Sequence, residues 1–221
     1  MTTVLAFDCA ISGLGVAVVR DGACLARHRE EGRGQAAKLL PAIAAVLREG
    51  GVDRRRLSMI AVTVGPGSFT GVRIGLAAAR GLALALGVPL AGITTTAALL
   101  AAAEPDDRLA VAAIDSHLGD WFCAFSAGDR APFLASTEAL AARLAGRACR
   151  IVGPQADALA PLLPNAVAQT ALPDPCMLAR LASDEGVESW QVRNRAEGLP
   201  RPLYLRGVNV TSPDGTRRTV E

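Results

Sequence analysis

The chain has 221 residues, of which 51% are hydrophobic and only 4% aromatic, and its formal net charge is +2. This length suffices for one large domain or two small ones, and the core must be built from Ala, Val, Leu and Ile. The near-neutral charge excludes a global electrostatic field that would by itself recruit nucleic acid.

The five cysteines are scattered and form no C-x-x-C pair. Their odd number, together with the absence of a signal peptide, predicts reduced thiols and a cytoplasmic protein. The apolar runs near Leu76–Leu86 and Leu99–Ala103 are interrupted by Gly, Arg and Thr, so we expect neither of them to span a bilayer.

The first half of the chain predicts three strands followed by alternating helices and strands. The pair Asp21-Gly22, in which both residues tolerate positive φ, indicates a hairpin. Apolar residues at helical spacing predict a helix over Gln35–Arg48, with Pro41 marking a kink or the first turn. The expected strands are Thr3–Asp8, Gly13–Arg20, Ala23–Arg27, Met59–Val64 and Val88–Ile93, and the expected helices are Gln35–Arg48, Phe69–Leu86 and Thr95–Ala103.

The same order of elements begins again after the polar turn at residues 104–107. Each half starts with an apolar strand that ends in an aspartate, Asp8 or Asp115, and continues through a Gly-containing turn into a second strand. The expected strands of the second half are Leu109–Asp115, Trp121–Ser126, Ala131–Leu134 and Arg150–Val152, and the expected helices are Thr137–Leu144 and Gln155–Leu163.

This repeat predicts an α/β protein of two ribonuclease H-like lobes, residues 1–103 and 104–221, with the second lobe reduced. The C-terminal tail is free to return to the first lobe. The architecture resembles the superfamily of actin, the heat-shock chaperone ATPases and the sugar kinases. In active members of that superfamily, aspartates at strand ends face phosphates and a metal. Asp8 and Asp115 are the corresponding residues here, and a strand-end turn is the alternative role of Asp8.

A glycine-rich stretch, Gly65-Pro66-Gly67-Ser68-Phe69-Thr70, stands between a predicted strand and a predicted helix. It lacks the Lys of a Walker loop, and Thr70 occupies the last glycine position of a dinucleotide fingerprint. Pro66 also removes one backbone N–H that would otherwise contact an anion. The stretch therefore disfavours a phosphate loop, and Ser68 or Thr70 is expected to cap the helix.

Small residues recur every four positions along this helix, at Gly67, Gly71, Gly75, Ala79 and Ala83. A glycine in a helix costs about 1 kcal/mol relative to alanine, so a compensating contact is expected. The spacing leaves two explanations open. Either a partner helix approaches this bare backbone closely, or the contact is internal to the chain.

The stretch "GPGSFTGVRIGLAAARGLA" resembles the signature of the TsaB (YeaZ) family, bacterial proteins needed for the threonylcarbamoyl modification of tRNA. The resemblance extends to "VLAFDCAISGLGVAVVRDG", "AAIDSHLGDWF" and "RPLYLRGVNV", and is only general between Gly128 and Leu199. The chain departs from the family at Asp8-Cys9-Ala10, where D-T-S/T is usual, and at Gln35, where His is usual. It departs again at Asp115-Ser116-His117, where D-A-R is usual.

The resemblance implies a non-catalytic subunit that pairs with the larger TsaD. That relative holds the metal and transfers threonylcarbamoyl to the adenosine next to the anticodon in tRNAs reading ANN codons. A TsaE-like ATPase joins the assembly, and the chain contacts tRNA as part of this complex. No cofactor is expected on this chain alone, since ATP and metal belong to the partner subunits. A homodimer is a further option for the isolated chain.

The resemblance also places the partner surface on the signature helix and the preceding helix. The implied partner-binding residues are Leu39, Leu40, Ile43, Gly71, Gly75, Ala78, Ala79 and Leu82. The signature loop and helix start comprise Gly65, Pro66, Gly67, Ser68, Phe69, Thr70 and Arg73.

The alternative function is a stand-alone nucleotide-dependent phosphotransferase of the actin-like superfamily, with Asp8 and Asp115 as metal-side carboxylates. A metallopeptidase is disfavoured, because the only histidines are His28 and His117 and neither belongs to an H-x-x-x-H motif. Arg206 is a candidate for either a salt bridge or a contact with tRNA.

Overall fold

The computed structural model describes residues 1–206, 208–211 and 217–220. It contains two five-stranded sheets and a two-stranded hairpin near the C-terminus. The strands are β1 (Thr3–Asp8), β2 (Leu14–Arg20), β3 (Ala23–Glu30), β4 (Met59–Thr63), β5 (Leu90–Ile93), β6 (Leu109–Asp115), β7 (Trp121–Phe125), β8 (Phe133–Ala135), β9 (Cys149–Gly153), β10 (Ala166–Thr170), β11 (Val208–Thr211) and β12 (Arg217–Val220). The α-helices are α1 (Gln35–Glu49), α2 (Phe69–Leu86), α3 (Thr95–Leu100), α4 (Thr137–Leu144), α5 (Ala156–Leu159), α6 (Pro175–Glu185) and α7 (Val187–Glu197).

The first sheet has the strand order β3-β2-β1-β4-β5. β1, β2 and β3 form the predicted antiparallel meander, and β4 and β5 continue the sheet in parallel from β1. Side chains of β1 alternate between the two faces of the sheet, yet all six residues are buried because both faces are covered. Leu5 and Phe7 pack with α1 and α2, whereas Val4 and Ala6 pack with α6.

The second sheet has the order β8-β7-β6-β9-β10, which repeats the topology of the first sheet strand for strand. The prediction of two ribonuclease H-like lobes is thereby confirmed. The reduction predicted for the second lobe affects its helices and leaves the sheet at full size. α4 and α5 have 8 and 4 residues, where α1 and α2 of the first lobe have 15 and 18.

Helices α6 and α7 pack against the first sheet, although the division at residue 103 assigns them to the second lobe. Leu178 and Ala182 of α6 and Trp190 of α7 are buried in one core with β1, β2 and β4. Asn194 of α7 also pairs with the backbone of the edge strand β5. Its Oδ1 accepts from the Leu90 N–H at 2.7 Å and its amide donates to the Leu90 carbonyl at 3.0 Å. The lobe boundary itself stays a prediction, but these two helices complete the first lobe.

The sequence predicts most elements to within a few residues. β10, α6 and α7 are the strand and the helices of the two lobes for which the sequence provided no prediction. α1 begins at Gln35 and continues through Pro41, so the alternative that Pro41 marks the first turn is wrong. Pro41 is exposed and removes a single backbone hydrogen bond, which a helix of this length tolerates.

Cys24 of β3 and Cys176 of α6 form a disulfide across a sequence separation of 152 residues. The prediction that all five thiols are reduced is wrong for this pair. The separation explains the failure, since only the packing of α6 on the first sheet brings the two residues together. Cys9, Cys123 and Cys149 are buried free thiols.

Helix α2 is long and apolar enough to cross a membrane by length and composition, with a mean hydropathy of 1.4 over its 18 residues. The expectation that the run Leu76–Leu86, which forms the second part of this helix, does not span a bilayer stays a prediction, because one such helix is weak evidence for a membrane span. The core helix of a soluble protein meets the same criterion, and α2 packs one face on β1 and β4 of the first sheet.

Candidate functional site

The signature loop, residues 65–68, is enclosed between the β1–β2 loop and the C-terminal segment. A side chain at Gly67 would overlap the carbonyl oxygen of Ala10, and a Cβ at Gly65 would lie 2.9 Å from the carbonyl oxygen of Leu203. Gly65 also has a φ of 101°, which favours glycine. These glycines are required by close internal approach of backbone to backbone.

The N-terminus of α2 is capped by Ser68, whose hydroxyl accepts from the Gly71 N–H at 3.2 Å. Of the two predicted caps, Ser68 is confirmed, and Thr70 lies exposed in the first turn. The Ser68 N–H in turn donates to the Ala10 carbonyl at 2.6 Å. The start of α2 is therefore attached directly to the end of β1.

The stripe of small residues faces the chain's own sheet. A Cβ at Gly71 would overlap the Cys9 carbonyl oxygen, and one at Gly75 would lie 3.4 Å from Val62 Cγ2. Ala79 is fully buried and Ala83 is 3% exposed. Of the two explanations of the spacing, the internal contact is correct, because the closeness of β1 to α2 leaves no room for larger side chains.

The implied partner-binding residues consequently divide into two groups. Leu39, Ile43, Gly71, Gly75 and Ala79 are buried in the core of the first lobe, so in this structure they offer no surface to a partner. Leu40 is 54% exposed, while Ala78 and Leu82 are partly buried against the same core. The resemblance assigns both Leu39 and Leu40 to the partner surface, whereas the tertiary structure buries Leu39 and exposes Leu40.

Asp8 is buried at the end of β1 and is 2% exposed. Its Oδ1 accepts from the Thr63 hydroxyl at 2.6 Å and from the Ala10 N–H at 3.0 Å. Burial raises the pKa of this carboxyl group above its usual value, against the opposing effect of those two hydrogen bonds and of Arg29. The carboxylate oxygen Oδ1 is thus already engaged by the chain, which fits the structural role of Asp8 better than that of a metal ligand.

The neighbour of Asp8, Cys9, is 1% exposed, and its pKa is raised to about 12 by burial and by the adjacent Asp8 charge. Cys9 stands where the family usually has a hydroxyl residue. A protonated, buried thiol is a poor nucleophile and a weak donor, so it supplies no contact to a phosphate.

Asp115 ends β6 in the second lobe, at the position equivalent to Asp8. Its Oδ1 accepts from the His117 N–H at 2.7 Å, and its Oδ2 lies 3.4 Å from His117 Nδ1. The His117 side chain is 79% exposed. Asp115 therefore stabilises the β6–β7 turn and also lines the cleft between the lobes.

The cleft between the lobes has a volume of about 610 Å³. Polar groups from both lobes line it, namely Ser12, Arg33, Ser68, Asp115, Ser116, His117 and Gln155. Asp8 is absent from this lining. Within the part of the chain that the structure describes, no group of three or more His, Cys, Asp or Glu side chains is arranged to hold a metal ion. The residues present do not fit the metal site implied for the larger TsaD relatives.

The C-terminal segment at residues 199–206 returns to the first lobe. The Leu203 N–H donates to the Val64 carbonyl at 2.8 Å, and Arg80 Nε donates to the Pro200 carbonyl at 3.1 Å. Arg206 forms a salt bridge with Asp120 of the β6–β7 turn, which is one of its two candidate roles. This segment therefore joins α2 to the second lobe. The last residues of the resemblance, 207–210, lie outside the residues whose side chains the structure describes.

Comparison with known proteins identifies a consistent set of relatives. A family model described as "TsaD: tRNA N6-adenosine threonylcarbamoyltransferase" matches residues 29–188, more than half of the chain. The tRNA threonylcarbamoyladenosine biosynthesis protein TsaB of Escherichia coli (strain K12) is 33% identical over 123 residues, which cover 55% of this chain and 53% of that protein. TsaB of Bacillus subtilis (strain 168) is 31% identical over 118 residues, covering 53% and 52%. The matched segment thus spans about half the length of these curated relatives.

A solved structure described as YeaZ from Pseudomonas aeruginosa extends the similarity to the whole fold. It superposes with a TM-score of 0.75 and 28% identity, covering 93% of this chain and 100% of that chain. The superposition includes the second lobe, where the sequence resemblance is only general.

Proposed function

We propose that this chain, which belongs to the TsaB (YeaZ) family of tRNA threonylcarbamoyladenosine biosynthesis proteins, is a non-catalytic partner subunit of the threonylcarbamoyl transferase machinery. It pairs with a TsaD-like catalytic subunit, which modifies the adenosine next to the anticodon, and a TsaE-like ATPase joins this pair. The partner subunits bind ATP and metal, and the chain contacts tRNA as part of the complex.

The observation that carries this proposal is the outer face of α1 and α2, the side directed away from the first sheet. The exposed residues in its middle are apolar or small, namely Ala37, Leu40, Pro41, Ala44, Ala77, Gly81, Leu84 and Ala85, and the exposed arginines Arg48 and Arg73 follow and precede them at the same helical spacing. Leu40 and Leu84 are 54% and 73% exposed. Exposed apolar patches on adjacent helices are typical of protein–protein contact surfaces.

Gly81 is the most informative residue of the outer face. It is exposed in the middle of α2, and among the described residues no atom beyond its chain neighbours and the adjacent backbone of α2 lies within 4 Å of the position that its Cβ would occupy. A helical glycine costs about 1 kcal/mol relative to alanine, and nothing in the described chain compensates for it. Close approach of a partner backbone would explain why a glycine occupies this position.

The pairing test uses Gly81→Arg and Leu84→Arg, with Val192→Arg as the matched control on α7. Val192 is 59% exposed, so the control adds the same charge to a different exposed apolar position. We expect the two outer-face variants to weaken pairing with the TsaD-like subunit at least about tenfold, since a central contact contributes more than about 1 kcal/mol. Titration calorimetry gives the affinity, and thermal unfolding verifies that each variant is folded.

Substitution of Gly75 or Ala79 by a bulky residue would be a poor test of pairing, because both residues lie in the core of the first lobe. Equal loss of pairing in all three arginine variants, or in none, would refute the outer face as the docking surface. Modification of tRNA in cells depleted of the chain, measured by mass spectrometry of nucleosides, then tests the role itself.

The same calorimeter addresses the phosphotransferase alternative. Mg-ATP bound by the isolated chain and lost in Asp115→Asn would favour that alternative over the partner subunit. A self-association of the isolated chain that is lost in Leu84→Arg would place a homodimer on the same outer face.

A further inference from the structure

An exposed aromatic cluster stands where the C-terminal segment crosses the start of α2. Phe69 and Tyr204 are 43% and 41% exposed, and their ring centroids lie 5.6 Å apart with planes inclined by 31°. The Arg73 guanidinium lies 3.6 Å from the centroid of the Phe69 ring, and its Nε donates to the Tyr204 hydroxyl at 2.9 Å. These contacts hold the two rings in place, so the cluster is preorganised and still open to solvent.

A small pocket of about 230 Å³ adjoins this cluster. Apolar side chains from three parts of the chain line it, namely Pro66, Phe69, Leu118, Phe122, Leu203, Tyr204 and Leu205. Pockets for drug-sized ligands have volumes of roughly 300–1,000 Å³, so this one accommodates a smaller planar group. Leu118 at its edge is 66% exposed, which leaves the pocket accessible from the β6–β7 turn.

Three arginines and two carboxylates surround the pocket and the adjoining cleft, namely Arg33, Arg73 and Arg206 with Asp115 and Asp120. Arg73 stacks on Phe69, and Arg206 lines the pocket while paired with Asp120. The polar cleft between the lobes shares Gly67, Phe69 and Phe122 with the pocket and adds Arg33. An apolar pocket with aromatic walls, beside arginines and hydroxyl groups, combines the features that bind a base and its phosphate.

We propose that the Phe69–Arg73–Tyr204 cluster and its pocket bind one unpaired base of single-stranded RNA, with the adjoining phosphate directed to Arg33 of the cleft. The inference rests on the proposed function, in which the RNA is a loop of tRNA held by the complex. A buried aliphatic side chain of a protein partner would not need an aromatic ring backed by an arginine, so the observations favour the base.

The test measures the affinity of the complex of this chain and its TsaD-like partner for an anticodon stem–loop RNA with a fluorescent adenine analogue in the loop. We compare Tyr204→Leu, which keeps an apolar side chain but removes the ring, with Tyr204→Phe, which keeps the ring but loses the hydrogen bond to Arg73. Base stacking on an aromatic ring predicts that Tyr204→Leu weakens RNA binding by about five- to a hundredfold and reduces the quenching of the analogue. Tyr204→Phe should remain within about threefold of the wild type, since it retains the stacking surface.

Pairing of each variant with the TsaD-like subunit is measured separately, without RNA. Unchanged pairing with weakened RNA binding in Tyr204→Leu alone supports the proposal. Unchanged RNA binding in Tyr204→Leu, when this variant pairs normally, overturns it and leaves the partner-subunit role intact. Loss of pairing in Tyr204→Leu shows that the pocket holds a protein side chain and also overturns it. Failure of the wild-type chain to pair at all would instead refute the proposed function.

Discussion

The two faces of α2 carry small residues at the same four-residue spacing for different reasons. On the inner face, Gly71 and Ala79 are buried against β1 and the first sheet, which approaches too closely for larger side chains. On the outer face, Ala77, Gly81 and Ala85 are exposed, and Gly81 has free space around it within the described chain. The comparison teaches that a stripe of small residues indicates a close contact only after the face it occupies is known.

The largest effect is expected from Gly71→Leu on the inner face. Even a Cβ at this position would overlap the Cys9 carbonyl oxygen, and backbone cannot move aside as a flexible side chain can. We expect a loss of about 3 kcal/mol or more in the free energy of unfolding, at or above the upper range for overpacked cores. Thermal unfolding and soluble yield measure the loss. The control is Gly81→Leu on the outer face, which should fold normally, and equal stability of the two variants would contradict the comparison.

A smaller effect is expected from Gly75→Leu, one turn further along the inner face. A Cβ at Gly75 would lie 3.4 Å from Val62 Cγ2 and 3.7 Å from the Cys9 Cβ, so the side chains nearby can yield in part. The expected loss is about 1–3 kcal/mol, measured by urea unfolding. Gly75→Ala should be nearly neutral, because the gain in helix propensity of about 1 kcal/mol offsets the tighter packing. A strongly destabilised alanine variant would mean that the inner face is tighter than its distances indicate.

The outer face predicts the opposite sign for Gly81→Ala. The added methyl group meets no neighbour among the described residues, so the variant should gain about 1 kcal/mol in stability from helix propensity. For a chain of this size that gain corresponds to a rise of about 2–4 °C in the melting temperature. Calorimetric melting of the isolated chain measures the rise. A fall in melting temperature would reveal an intrachain contact at Gly81.

The smallest effect is expected from a substitution of Asp8, whose side chain lies on the face of the first sheet opposite to α2. The buried group there is a carboxyl group rather than bare backbone. Its pKa in the folded protein is raised above the ordinary value of 3.8, mainly by burial. The folded protein therefore binds more protons than the unfolded chain between that value and the raised one, so stability falls as pH rises through this interval. Asp8→Asn keeps an oxygen to accept from Thr63 and Ala10, and it should lack this decrease.

Urea unfolding of wild type and Asp8→Asn from about pH 3 to pH 7 measures the difference between their free energies of unfolding. The difference should shift in favour of Asp8→Asn as pH rises. A difference that does not change with pH would mean that Asp8 has the same pKa in the folded and unfolded states.

Local patterns were sufficient for much of this fold. The Asp21-Gly22 turn, the start of α2 at Phe69 and its cap Ser68 follow from turn and capping chemistry between neighbouring residues. The repeated order of elements also predicted that both sheets share one topology. By contrast, α6 and α7 were not predicted; α7 in particular is largely polar, with Trp190 as its buried residue.

The candidate surfaces were less predictable, because exposure depends on what packs against each helix. Leu39 and Leu40 are adjacent and equally apolar, yet one is 1% and the other 54% exposed. The sequence pattern around Tyr204 predicts no contact for its side chain. Its contact with Arg73 joins residues 131 positions apart, for which no short-range pattern exists.

The sequence by itself determined most strands and helices, the duplicated lobe and the family signature, since hydrophobic periodicity, turn residues and motifs are local properties of the chain. Only the tertiary structure decided which stripe of α2 faces the sheet, that Asp8 is buried away from the cleft, and that Tyr204 returns to Phe69. The physical reason is that these features arise from backbone approach and burial between distant segments, and such contacts exist only once the sheets and helices have packed.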